Sequence, residues 1–457
     1  MRPLEVALLV VLTARLLVAL TRREGWTRGL GTFAVVVLLL HVVLEGARWM
    51  MAPAYLVMVV VAYWALCPNP EIRGWVRGLG AVVAVLALVV SGALSWILPV
   101  PTFSTPDRPV GTTLVAMDGA LGQVPVRLFY PSAVSGVMTY APEAERATFV
   151  EKYGLPAWTS SHLRLAALPV AEGVAVDGGP WPVVLFSHGY HVPPSFYGAF
   201  LPSLAARGYV VAAITFPGEA TMAVFPDGRR VAFDQSRADS LYTPALWERV
   251  GALNGEWSAA TTDAERMAVF REINGFYPDA EMAQRWAADA SAVLDGLPGL
   301  EVLRGRIDLD RVGIVGHSAG GGAAAQACRE DARFQACANW DGALWGTLAD
   351  DTLRTPFLEV EAPAPPGAFR PNRLVLQAAQ SDSVDGFETL TLLESGHASF
   401  SDIPQIVRLA AINEGGTIDP SAAARAVVDV TDAFFQMHLN GTGGGVEAIS
   451  QSHPFAR

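Results

Sequence analysis

The sequence predicts a two-part molecule: an α/β domain whose mostly parallel sheet carries helices on both faces, preceded by an N-terminal bundle of about four transmembrane helices. Three observations support this. Residues 1 to about 100 are overwhelmingly apolar, while the remainder of the 457 residues has ordinary globular composition. Beyond residue 110, short apolar runs bounded by Gly and Pro alternate with amphipathic runs, the pattern of strands followed by helices. One of those apolar runs ends in Gly316-His317-Ser318-Ala319-Gly320, directly before an alanine-rich helical run.

The apolar part comes first. Its runs are Leu4–Leu20, Leu30–Leu44, Ala54–Cys67 and Leu79–Leu98. A membrane helix needs about 20 apolar residues, with roughly 17 as the lower end. The fourth run meets this, the second does so if it extends to Trp49, and the third if it starts at Met50. The first carries Glu5 and Arg15. Arg22, Arg23 and Arg28 fall between the first two runs and Arg73 and Arg77 between the last two, whereas Arg48 stands alone in the middle linker. Positive charge marks the cytoplasmic side, so the chain after Leu98 is expected on the extracytoplasmic face of a bacterial inner or plasma membrane. Further apolar runs follow the first without a small-residue cleavage pattern, which argues against a cleaved signal peptide.

The net charge is −12 and Lys152 is the only lysine. Without basic clusters the chain is not expected to bind nucleic acid, and no protein partner is legible. Of the three cysteines, Cys67 ends an apolar run. Cys328 and Cys337 flank "REDARFQA", where an oxidising exterior permits a disulfide and two buried thiols are the alternative.

Residues 99–110 are proline-rich and aperiodic and read as a linker, with the α/β domain over 111–457. "TTLVAM" and "VPVRLFY" are strands around the turn "DGALGQ". "WPVVLFSHGY" is a buried strand, "FYGAFLPSLAARG" an amphipathic helix closed by Gly208, and "YVVAAITFPG" the next strand. Residues Glu219–Asp279 lack a strand pattern and read as a helical insertion. Then follow the helix "MAQRWAADASAVLDGL", the strand "RVGIVGHS", the alanine-rich helix, the strand-like "ACANWDG", "TPFLEVEA" and "ETLTLLESGH", and a closing helix "SAAARAVVDVTDAFFQMHL".

Gly316–Gly320 fits G-x-S-x-G between a strand and a helix, the nucleophile elbow of the α/β-hydrolase fold. The turn forces the serine into a strained conformation with its hydroxyl exposed, and small neighbours let strand and helix approach. Ser318 is therefore the candidate nucleophile. A serine hydroxyl needs a base. Of eight histidines, His397 in "LLESGHASFSD" lies after the last expected strand, giving the order Ser–acid–His of this fold. Asp341, Glu361, Asp382 and Asp385 all stand between the two as candidate acids. Asp341 suits the role best, because it ends a strand and precedes a glycine. The oxyanion donors are expected to be the backbone N–H groups of Ala319, the residue after the nucleophile, and of Tyr190, in the loop after "VVLFSHG".

"VVLFSHGY", "GHSAGG", "REDARFQACANWDGALW" and "SGHASFSD" together resemble the platelet-activating factor acetylhydrolases of the plasma and intracellular type II group. The likeness covers roughly Pro180 to Asp402. It implies an α/β-hydrolase fold, no metal or cofactor, and removal of short or oxidatively truncated acyl chains from phospholipids. It also implies Asp341 as the acid, completing a Ser318–Asp341–His397 triad with Tyr190 and Ala319 as oxyanion donors. Ala319 replaces a bulkier residue of the animal proteins, and "FLEVEA" with "PAPPGAFRPN" departs from their pattern. The expected function is thus a membrane-anchored serine ester hydrolase whose partners are an ester or phospholipid substrate and a lipid bilayer. The alternatives are a general short-chain carboxylesterase or polyester hydrolase and, more remotely, an inactive hydrolase-fold membrane sensor.

Overall fold

The computed structural model describes residues 1–20, 24–66, 74–350, 352–365, 367–380 and 386–456. Cys67, Arg22, Arg23 and Arg73, and the alternative acids Asp382 and Asp385, lie outside these residues.

Four helices open the chain: α1 (Pro3–Leu20), α2 (Glu24–Leu40), α3 (Ala52–Leu66) and α4 (Gly74–Ile97). They pack on one another through Leu8, Leu12, Val37, Ala54, Met58 and Leu88. Their outward faces are apolar as well: Val10, Leu17, Leu39, Val43, Leu56, Val59, Leu86 and Val89 are all exposed. The sequence leads one to expect four spans. Among the described residues one helix, Gly78–Ile97, is long and apolar enough to cross a bilayer, and Gly29–Glu45 and Trp49–Tyr63 are apolar but shorter. The second run is cut short because the chain leaves the helix at Gly46, whose φ of +78° suits glycine.

Buried polar groups close one end of this bundle. Glu5 accepts from Arg48 Nε at 2.6 Å, both side chains fully buried. His41 Nδ1 bonds Glu45 at 3.0 Å and its Nε2 meets the Tyr55 hydroxyl at 2.7 Å. The same end holds the rest of the chain: Arg48 Nη1 donates to the Leu98 carbonyl, Trp49 Nε1 to Thr159, and Arg408 N–H to Ile97. Segment 99–109 of the expected linker packs against the domain through Val100 and Phe103. Phe103 stacks on Tyr140 with ring centroids 4.8 Å apart.

The sheet uses β1 (Val110–Asp118), β2 (Gln123–Pro131), β3 (Ala171–Glu172), β4 (Trp181–Ser187), β5 (Val210–Ile214), β6 (Ile307–His317), β7 (Phe334–Trp340), β8 (Phe357–Glu361) and β9 (Phe387–Thr391). Their order is β9-β8-β7-β6-β4-β5-β2-β1-β3. Within this sheet, among the described residues, the pairings of β2 with β1 and with β5 are antiparallel and the others parallel. The central strands are rich in Val, Ile, Leu and Phe because both faces are covered. Leu185 and Ile314 face one core with helix Pro278–Gly296 and helix Ala319–Glu330. Val184, Phe186 and Val315 face the other with the C-terminal helix Pro420–Asn440. Each such side chain contributes roughly 1.5–3 kcal/mol when fully buried.

Two local expectations need correction. "FYGAFLPSLAARG" is not one helix: it is a 3₁₀ turn, Pro194–Tyr197, and a separate helix, Leu201–Ala206. Pro202, lacking an N–H, starts the second rather than continuing the first. The stretch Glu219–Asp279 does contain strands, a small hairpin of Met222–Val224 with Arg230–Ala232. Its signal was the Pro226-Asp227-Gly228 turn. Helices Gln235–Leu241, Pro244–Ala259 and Asp263–Asn274 make up most of the rest.

Candidate active site

Central strand β6 runs straight into Ser318, and the helix begins at Ala319. Ser318 has φ +57° and ψ −125°, a conformation that L side chains rarely adopt. The surroundings impose it. The Ser318 N–H donates to the Trp340 carbonyl of neighbouring β7, while the following helix lies so close that a Cβ on Gly316 or Gly320 would collide with backbone carbonyls. The hydroxyl is left at the C-terminal edge of the sheet, where open α/β folds hold ligands.

His397 stands in the turn His397–Phe400 after β9. Its Nε2 lies 2.9 Å from Ser318 Oγ, and its Nδ1 lies 2.7 Å from Asp341 Oδ2. Asp341 follows β7 with φ +50°. Its side chain is fully buried, and Oδ1 accepts from the Ala362 N–H and from Arg370 Nη1, each at 2.9 Å. Burial pushes this carboxyl upward. The His397 hydrogen bond and charge, the Arg370 guanidinium and the Ala362 N–H outweigh burial and hold it below its ordinary value. The structure thus brings Ser318, His397 and Asp341 into one hydrogen-bonded chain. Glu361 sits at the end of β8 beside Arg370, and burial raises its carboxyl.

Two other histidines near the site are engaged elsewhere. His188 is buried and held between the Gly189 carbonyl and the Phe216 N–H. His317 is buried, bonded to the Tyr197 hydroxyl through Nδ1 and to the His397 carbonyl through Nε2. Burial lowers it to about 3, so the ring is neutral. Tyr197 in turn accepts from the Gly189 N–H at 2.9 Å. His317 therefore links the loop carrying Tyr190 to the backbone of His397, a role that sequence position does not reveal.

That loop passes close to the serine: a Cβ on Gly189 would lie 3.3 Å from Ser318 Cβ. Ala319 is the first residue of its helix, so its N–H has no acceptor within it. Among the described residues, no protein acceptor takes the Tyr190 or the Ala319 N–H. A cavity of about 290 Å³ opens beside Ser318 and His397, walled by Trp345, Phe369, Arg370 and Asp279. Burial raises Asp279 to about 6, opposed by a hydrogen bond from Tyr242.

Behind the site, Glu359 is buried and accepts from Asn339 and Asn372, and both amides also donate to the Gly342 carbonyl. This network fixes the turn after Asp341. Burial raises Glu359 to about 8. Cys328 and Cys337 bring their Cα atoms to 6.4 Å, within disulfide range, at the back of the same helix and strand. Arg370, Tyr197, Glu359 and Asn372 carried no readable sequence signal, because each acts on a residue distant in the chain.

Residues 100–227 and 286–443 match the family model of platelet-activating factor acetylhydrolase, isoform II. The unmatched residues 228–285 contain helices Gln235–Leu241, Pro244–Ala259 and Asp263–Asn274. The chain is 29% identical over 164 residues to the platelet-activating factor acetylhydrolase of Cavia porcellus, covering 35% of this chain and 34% of that protein. It is 23% identical over 291 residues to that of Gallus gallus, covering 58% and 63% respectively. The matches thus span less than two thirds of these relatives' length. The fold is similar to that of a ferulic acid esterase from Streptomyces cinnamoneus, with a TM-score of 0.57 at 23% identity over 79% of this chain and 99% of that one.

Proposed function

We propose that this chain, which belongs to the platelet-activating factor acetylhydrolase isoform II family, is a serine ester hydrolase that cleaves short or truncated acyl chains from phospholipids. The observation that carries the reading is the unbroken chain Ser318–His397–Asp341, with a cavity opening on its serine end.

In this reading His397 Nε2 takes the Ser318 proton as Oγ attacks the ester carbonyl. Asp341 holds the ring through Nδ1 and stabilises the imidazolium. The carbonyl oxygen becomes an oxyanion that accepts from the Tyr190 and Ala319 N–H groups, both without a protein acceptor among the described residues. The C–O bond to the alcohol breaks, and the alcohol leaves with the proton from His397. Water then hydrolyses the acyl enzyme by the same steps, returning the proton to Ser318.

We also propose that residues 1–98 seat the protein in a bilayer with the hydrolase domain on the extracytoplasmic side. The apolar outer faces of α1–α4 and the arginine asymmetry support this. Resistance to alkaline carbonate extraction, lost on deleting residues 1–98, is the expected result. Complete release of the full chain would sink the idea.

The test of function is hydrolysis of paired phospholipids, one with a short and one with a long sn-2 acyl group, by detergent-solubilised protein and Ser318→Ala. Short-chain cleavage lost in the variant is expected. The cavity walled by Trp345 and Phe369 equally suits a second reading, a carboxylesterase or polyester hydrolase. Cleavage of simple esters alone would favour it. Absence of both, with no labelling of Ser318 by a fluorophosphonate, would point to an inactive sensor.

A further inference from the structure

We propose that Arg370 is a positioning residue that acts through Asp341 by its charge and sets the lower end of the pH range in which Ser318 and His397 work. This rests on the reading of Ser318, His397 and Asp341 as the reacting set.

The geometry separates the charge of Arg370 from its hydrogen bond. Asp341 Oδ1 already accepts from the Ala362 N–H, and Oδ2 from His397. The carboxylate is thus anchored at both oxygens without the guanidinium. What Arg370 Nη1 adds at 2.9 Å is a positive charge next to a fully buried negative one. That charge favours the ionised carboxylate but opposes the cation that His397 becomes on taking the serine proton. Removing it lets the ring keep its proton to higher pH, so the acid limb of kcat/KM moves up.

Arg370 is also held from outside the sheet. The Trp257 indole N–H donates to the Ala368 carbonyl and Ser258 Oγ to that of Gly367, both from helix Pro244–Ala259. Phe369 stacks on Trp345. The insertion thereby fixes the loop that carries the guanidinium to Asp341.

Other titratable groups surround the site. His317 lies with its ring 4.8 Å from that of His397. Glu359 lies beneath, Glu361 beside Arg370, and Asp279 on the cavity wall. All four remain in every variant, so a difference between variants isolates position 370.

The experiment is the pH profile of kcat/KM on p-nitrophenyl acetate for full-length protein in detergent, comparing wild type with R370K and R370Q. Lysine keeps the charge, and glutamine keeps a donor without it. R370K is expected to leave the acid limb in place. R370Q is expected to raise it by about half to one pH unit at low salt, because a half-exposed charge is partly screened. The plateau kcat should fall less than about tenfold, Asp341 keeping its Ala362 anchor. Limbs that coincide in all three, or move equally in both variants, overturn the proposal. So does a change confined to KM, which would make Arg370 a substrate-binding group. Should R370Q not fold, R370M takes its place: its limb should rise in the same way, and a limb that coincides with wild type overturns the charge role. A wild type that cleaves no ester, or an active Ser318→Ala, brings down the underlying reading instead. Normal cleavage with coincident limbs brings down this inference alone.

Discussion

The molecule contains the same chemical cast twice. In the helical bundle, His41 bonds the carboxylate of Glu45 and the hydroxyl of Tyr55, while Arg48 pairs with Glu5. At the sheet edge, His397 bonds the carboxylate of Asp341 and the hydroxyl of Ser318, while Arg370 pairs with Asp341. The surroundings differ. His41 has no exposed side-chain surface, whereas His397 is 43% exposed. Ligand atoms of Glu5, His41 and Glu45 lie within 4.8 Å of one another. Yet Glu5 is occupied by Arg48 and the Arg2 N–H, and Glu45 by His41 and the Leu4 N–H. The bundle set is closed and satisfied, which suits a structural joint. The sheet-edge set ends in a strained serine, a cavity and two N–H groups without acceptors among the described residues. A histidine–carboxylate pair is therefore not in itself a sign of catalysis. The open valences around it are.

Substitutions at the two sets test this contrast. The largest expected effect is at the sheet edge: Ser318→Ala or His397→Ala should lower kcat on a short ester by at least about 10⁴-fold. His41→Ala should leave kcat/KM of the folded protein within about threefold. Comparable losses from both would erase the distinction. Asp341→Asn comes next, with a fall of about 10³–10⁴-fold in kcat and little change in KM, since the amide no longer orients the ring correctly.

In the bundle the expected loss is stability. Arg48→Met strands a buried Glu5 carboxylate at a cost of about 3–5 kcal/mol. The double variant Arg48→Met, Glu5→Leu should recover most of it, read as Tm in detergent. A single variant as stable as wild type would show that the pair is not a joint.

The smallest effect concerns pH. Burial raises Glu359 to about 8 and Asp402 to about 7 in the folded protein. A raised carboxyl contributes stability below its unfolded pKa, and that contribution is lost as pH rises through the folded value. Tm of the hydrolase transition should fall by a few degrees between about pH 6 and about pH 9. A Tm that rises over this range would contradict the assignment of both groups as carboxyls favoured in the neutral form.

Much of the sheet was legible because the signal is local. A run such as Val183–Phe186 declares a doubly covered strand by composition, and Gly316–Gly320 declares a tight strand-to-helix turn by the size of its residues. The break at Pro202 and the hairpin at Asp227–Gly228 had local signals too, though they were masked by the stronger helical pattern around them.

The order of the main-sheet strands and the position of Ser318 between a strand and a helix are written in local sequence, since backbone sterics and side-chain periodicity act over a few residues. Long-range packing sets the rest: that Asp341 rather than Glu361 meets His397, that His317 turns back to Tyr197, that Arg370 reaches Asp341, and that segment 99–109 lies against the domain. These pairings join residues tens to hundreds of positions apart. They depend on strand order and loop path, which no local window of sequence contains.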